Sequence, residues 1–116
     1  CPIGWHVPSD SDWMTLTSYI HRKELAGGYL KEIGIANWQS PNAGATNETG
    51  FTARPGGSRY FDGLFSGIGI YGNWWSSTEQ SITFSYYQSL YFNSKEVTRS
   101  YYNKKVGFSV RCLKDK

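Results

Sequence analysis

A chain of 116 residues with a net charge of +3 has room for one domain, 1–116, and not for two of ordinary size. Hydrophobic residues make up 39% and aromatics 17%, so a core must be built on Trp, Tyr and Phe more than on aliphatics. The twelve basic residues are scattered from Arg22 to Lys116, which argues against nucleic-acid binding, and no window approaches the ~18 apolar residues that membrane insertion needs.

Cys1 opens the chain and Cys112 lies near its other end, a spacing that fits no CxxC redox or zinc motif. We expect a disulfide between them, closing nearly the whole chain and implying an oxidising compartment. A rival reading makes Cys1 the lipid-bearing first residue of a bacterial lipoprotein, which leaves Cys112 unpaired. The absence of a leader implies a mature chain or an excised domain.

"GWHVPSDSDWMTLTSYI" reads as a short strand, a turn and a helix, with Ser9 as N-cap and Asp12 completing a capping-box pattern. Trp13, Leu16, Thr17 and Ile20 form one helical stripe for burial. "HRKELAGG" extends that helix or forms a second one, ended by Gly27 or Gly28. From Tyr29 to Gly72 the helical signal fades into a long middle punctuated by proline and glycine. "NWWSST", "TFSYYQSLYF", "EVTRSYY" and "VGFSVRCL" then read as strands. In the last of them Val106, Phe108, Val110 and Cys112 share a face, expected to point inward. The order of elements is that of an α+β fold.

Motifs that carry chemistry are scarce. "GIGIYG" matches GxGxxG, but a strand pattern follows where a phosphate-binding helix is required, so it reads as glycine turns. His6 and His21 are the only histidines and stand in no metal-binding pattern, and no nucleophile elbow is present. We expect no catalytic residue, no metal and no cofactor. Trp5, Trp13 and one of the pair Trp74 and Trp75 are assigned to the core, which leaves the other, taken as Trp75, as a candidate platform. Trp38, in the loop-rich centre, fits either role. "NET", Asn47 to Thr49, matches a glycosylation sequon.

Five segments, "CPIGWHVPSDSDW", "LKEIG", "TGFTARPGGSR", "WWSSTE" and "GFSVRCLKD", stand in the order found in the Fibrobacter succinogenes major paralogous domain, which the chain resembles over essentially its whole length. "GWHVPSDSDW" is also similar to the opening of the formylglycine-generating-enzyme branch of C-type-lectin-like domains. The resemblance implies a C-type-lectin-like fold: adjacent termini, one or two helices, and a small twisted antiparallel sheet beneath a loop-rich ligand face. It also implies an exported protein, placed extracellularly or on the outer cell surface. The chain lacks the active-site cysteine pair of the oxidases and the Glu-Pro-Asn or Gln-Pro-Asp of calcium-dependent lectins. Neither activity is therefore expected.

The stretch "SYYQSLYFN" supplies the functional candidate. As a strand it exposes Tyr87, Ser89, Tyr91 and Asn93 while Leu90 and Phe92 face the core, and Tyr101 and Tyr102 are expected to flank the exposed set. The candidate ligand-binding residues are Tyr86, Tyr87, Ser89, Tyr91, Asn93, Ser100, Tyr101, Tyr102, Asn103 and Trp75. Antibody paratopes share this composition, because tyrosine gives large contact area at low entropic cost while Ser and Asn adapt their hydrogen bonds. The segment also resembles that of variable proteins of diversity-generating retroelements, in which adenine mutagenesis yields Tyr, Ser and Asn. The expected function is non-enzymatic recognition of a protein or carbohydrate on another cell, phage or host surface. The alternatives are a structural module with no ligand of its own and, third, an enzyme related to the oxidase branch.

Overall fold

The computed structural model describes all residues from Cys1 to Lys116. Ser9 starts the first helix in both senses of a capping box: its Oγ accepts from Asp12 N–H, and the Asp12 carboxylate accepts from Ser9 N–H. Such a cap contributes about 1 kcal/mol. This helix, α1 (Asp10–Tyr19), follows the two-residue strand β1 (Trp5–His6). A 3₁₀ turn over Lys23–Leu25 runs into the short α2 (Ala26–Leu30). After a long irregular stretch come β2 (Ser58–Arg59), β3 (Phe65–Ser66), β4 (Tyr71–Glu79), β5 (Phe84–Tyr91), β6 (Thr98–Asn103) and β7 (Leu113–Lys114). Two helices and small antiparallel sheets make the fold α+β.

The central sheet has the order β4–β5–β6, with β2–β3 and β1–β7 as separate two-stranded ribbons. Helix α1 packs on one face of it. Trp13, Ile20, Ala26, Leu30, Trp38, Ala53, Trp74 and Leu90 form the buried cluster, edged by Leu16, Tyr29, Phe51, Phe92 and Val97. Polar contacts fix the helix to the sheet. Asp10 N–H donates to Thr78 Oγ1 at 2.9 Å, and Arg99 of β6 makes a two-pronged bond to the Asp10 carboxylate at 2.8 Å per prong. Cys1 and Cys112 are joined, with Cα atoms 5.6 Å apart, beside the β1–β7 ribbon that pairs Trp5 with Lys114.

Three expectations fail here for local reasons. Gly27 and Gly28 lie inside α2 instead of ending it, because neighbouring backbone passes too close for side chains: a Cβ on Gly28 would sit 2.1 Å from the Gly44 carbonyl oxygen. Trp5 is 43% exposed, since it stands on a two-residue ribbon separate from the central sheet and lines an open cleft instead of the core. The segment from Val106 to Cys112 is not a continuous strand. Gly107 bridges Arg59 and Ser109 bridges Trp74, so the alternation breaks, leaving Val106 buried and Val110 exposed.

The long middle keeps its backbone paired without regular structure. Ala53 N–H donates to Leu30 O, Ala43 N–H to Phe92 O and Thr46 N–H to Gly28 O, which lays residues 42–53 against α2 and the end of β5. Trp38 is buried there, its indole N–H on the Ala53 carbonyl at 2.9 Å. At the terminal ribbon His6 Nδ1 lies 2.6 Å from Asp115 and Nε2 lies 3.4 Å from Asp12. The Asp115 hydrogen bond raises the His6 pKa above its ordinary value.

Candidate functional site

Register sorts the tyrosines. Tyr71 pairs with Tyr91, Asn73 with Ser89, Trp75 with Tyr87, Tyr87 with Ser100 and Ser85 with Tyr102, so all of these stand on the face turned away from α1. Trp74, Gln88, Leu90, Tyr86, Arg99 and Tyr101 take the other face by the same rule. The candidate set therefore splits. Tyr86 lies on the helix side under the Arg99 guanidinium at 4.0 Å, and Tyr101 packs edge-on against Tyr86 and Phe84. Asn103, paired with Phe84, belongs to that side too, and its side chain accepts from Lys105 N–H in the following turn. Being consecutive, Tyr101 and Tyr102 cannot flank the same patch. Only Tyr102 does.

The outer face is less open than strand parity alone predicts. Ser89, expected in solvent, is 0% exposed, because it sits on the central strand between two tyrosines of its own face and its hydroxyl donates to Asn73 Oδ1. Tyr87 is half-buried, its ring 4.8 Å from Phe108, and Trp75 is half-buried with Phe108 at 4.4 Å. Tyr91 is half-buried against Tyr71, and Ser100 is also half-buried. Asn93 is exposed in the turn after β5, and Tyr102 remains 39% exposed. Leu90 is buried and Phe92 packs on the core edge.

What these residues enclose is a bowl of about 160 Å³ lined by Ser58, Tyr60, Tyr71, Asn73, Tyr87, Tyr91, Tyr102 and Phe108. None of the lining side chains is charged. The hydroxyls of Ser58 and Tyr71 are hydrogen-bonded at 2.7 Å. A hydrogen bond with Tyr71 raises the Tyr60 pKa, and burial raises that of Tyr87, so both remain protonated donors at neutral pH. Tyr71 can fold over the bowl because Gly67 carries no Cβ; one there would lie 2.1 Å from the tyrosine ring, and its φ of 80° suits glycine.

Sequence reasoning missed five of the eight lining residues. Tyr71 and Asn73 share parity with Trp75 and could have been found by extending β4 toward its start. Ser58 and Tyr60 arrive on a ribbon with no strand signal, and Phe108 was assigned to the inward face of a strand that does not form. Lys31 was missed as a site residue altogether. It is 0% exposed, and its ammonium donates to the carbonyls of Ala43 (2.9 Å), Tyr91 (2.9 Å) and Ser94 (2.8 Å), with no carboxylate nearby. Burial lowers its pKa to about 8. At neutral pH it is an internal cation tying the end of β5, and with it Tyr91 and the turn that bears Asn93, to the middle loop.

The features together define a class: a disulfide-closed α+β domain whose short sheet buries one face under a helix and turns an uncharged, tyrosine-lined face outward. The chain belongs to the Fibrobacter succinogenes major domain family, whose model matches residues 1–114. No curated protein and no solved structure matches the chain.

Proposed function

We propose that this is a non-enzymatic recognition domain of an exported, surface-located protein, and that it binds a protein or glycan through the outer face of its central sheet. The observation that carries the reading is the bowl: five tyrosines, a serine and an asparagine converge on one concavity with no charged side chain in its lining. Tyrosine gives such a site apolar area and a hydroxyl on the same rigid group, and uncharged hydroxyls donate and accept without the desolvation cost of an ion. Export is supported by the disulfide. Because both cysteines are joined, no thiol is left for oxidase chemistry. We assign the fold to the C-type-lectin-like group on its adjacent termini, two helices and small antiparallel sheet. The exposed positions Tyr102 and Asn93 are the ones at which retroelement diversification would alter a ligand at little cost to packing.

The test is a parallel screen of wild-type domain and a Tyr91→Ala variant against a glycan array and a library of purified surface proteins. A hit retained by the wild type and weakened by about 1–3 kcal/mol in the variant, with the variant still folded by circular dichroism, supports the reading. Hits indifferent to Tyr91 would move binding elsewhere. A second reading, the structural module, is favoured by one observation: Phe61, Leu64, Phe65 and Ile68 are exposed around the β2–β3 hairpin, as a surface packing on a neighbouring domain would be.

A further inference from the structure

The largest cavity is not the tyrosine bowl. It is a cleft of about 320 Å³ on the helix side of the sheet, between α1 and the terminal β1–β7 ribbon. That volume is at the lower end of small-ligand sites, and its character is theirs, mostly apolar with few polar groups. Trp13 and Leu16 of α1, Phe51 of the middle loop, and Trp5, Pro8 and Leu113 supply the walls.

Two charged side chains reach the cleft, and they are in different states. Asp12 is engaged: its carboxylate accepts from Ser9 N–H and Ser9 Oγ at 2.9 Å each and faces His6 at 3.4 Å. Arg111 is not. Arg22 pairs with Glu24, Arg54 with Glu32 and Arg99 with Asp10, while Arg59 donates to the Gly63 carbonyl. Arg111 is the one arginine with no protein acceptor and no carboxylate within ion-pair distance. Its guanidinium is held over the Phe51 ring at 4.3 Å, so the fork is oriented while its N–H groups stay available.

We propose that this cleft binds a small amphipathic monocarboxylate, its apolar body between Trp5, Trp13 and Leu16 and its carboxylate on Arg111. The charge balance selects the class. One unpaired guanidinium balances one carboxylate in a two-pronged bond, whereas a phosphate dianion brings a second negative charge beside Asp12 that no free cation of the lining offsets, His6 being already held between Asp115 and Asp12. This site shares no residue with the tyrosine bowl and stands or falls separately from it.

The experiment titrates the ¹⁵N-labelled domain with 3-phenylpropionate and, in parallel, with its uncharged amide. Saturable shifts centred on the indole N–H of Trp5 and Trp13 and the Arg111 Nε–H are expected with the acid. The amide should bind about tenfold more weakly or worse, and Arg111→Gln should bring the acid down to the amide. Arg111 is exposed and pairs with no acceptor, so its replacement strands no buried polar group. Leu16→Trp, which fills the cleft, should abolish binding of both, with thermal melting showing whether it still folds. No saturable shift up to roughly 10 mM, equal binding of acid and amide, or an affinity unchanged in Arg111→Gln each overturns the proposal. So does a sedimentation profile in which Leu16→Trp blocks a dimer, since a second copy would then be the occupant.

Discussion

Replacing Lys31 by methionine keeps the apolar stem and removes the ammonium, which sets two opposed contributions against each other. The wild-type ammonium makes three charge-assisted hydrogen bonds, to Ala43, Tyr91 and Ser94, each worth roughly 1.5–3 kcal/mol. Against that stands the cost of holding an unpaired charge with no exposed surface, several kcal/mol in real proteins. The variant recovers the second contribution but leaves carbonyls of two loops without their donor. Weighing the two, we expect Lys31→Met to lose about 3 kcal/mol, a fall in Tm of roughly 10 °C, with amide protection lost first around Ala43 and Ser94. Urea unfolding followed by tryptophan fluorescence measures the first quantity and hydrogen exchange the second. The pH dependence supplies an independent sign. With the folded pKa lowered to about 8, the unfolded chain holds the proton more tightly above that pH, so this lysine should make the wild type gain stability relative to Lys31→Met between pH 8 and about 10.4. A variant as stable as the wild type at pH 7 would refute the reasoning, by showing that the loops do not need the hydrogen bonds that this side chain donates to their carbonyls.

Reduction of the Cys1–Cys112 bond, which spans 111 residues, should cost roughly 3–5 kcal/mol and be read as a drop in urea midpoint; an unchanged midpoint would show that the β1–β7 ribbon holds the termini unaided. His6 should titrate above 6.5 by NMR, and Asp115→Asn should bring it down. Its contribution to stability should be fully present below pH 6.5 and be lost as pH rises through the folded value, whereas titration at or below 6.5 would contradict the Asp115 hydrogen bond. Tyr87→Ala, unlike a truncation at a free surface, should cost about 1–2 kcal/mol of folding because the ring packs on Phe108 and Trp75; a neutral effect would argue that the bowl is looser than its ring distances imply.

The amino-acid sequence by itself determined the local structure and what depends on parity. Ser9 and Asp12 start α1 because a capping box needs only four residues of chain, and Leu90 is buried opposite Tyr91 because strand alternation needs only two. The pairing of Cys1 with Cys112 was legible as well, since only two cysteines exist. Composition marked the stretch from Tyr86 to Asn103 as unusual, and five of its residues do gather on one face. Tertiary structure alone decided which tyrosine of β6 joins that face, since the register across β5 and β6 sets Tyr102, and not Tyr101, on the side of Tyr87. It also decided that Ser89 is covered, that Ser58, Tyr60 and Phe108 complete the bowl, and that Lys31 is an internal cation. Each of these depends on contacts between residues distant in the chain. A lysine reads as a surface residue in any local pattern, and only the convergence of the Ala43 carbonyl from the middle loop with those of Tyr91 and Ser94 at the end of β5 gives its buried ammonium three acceptors.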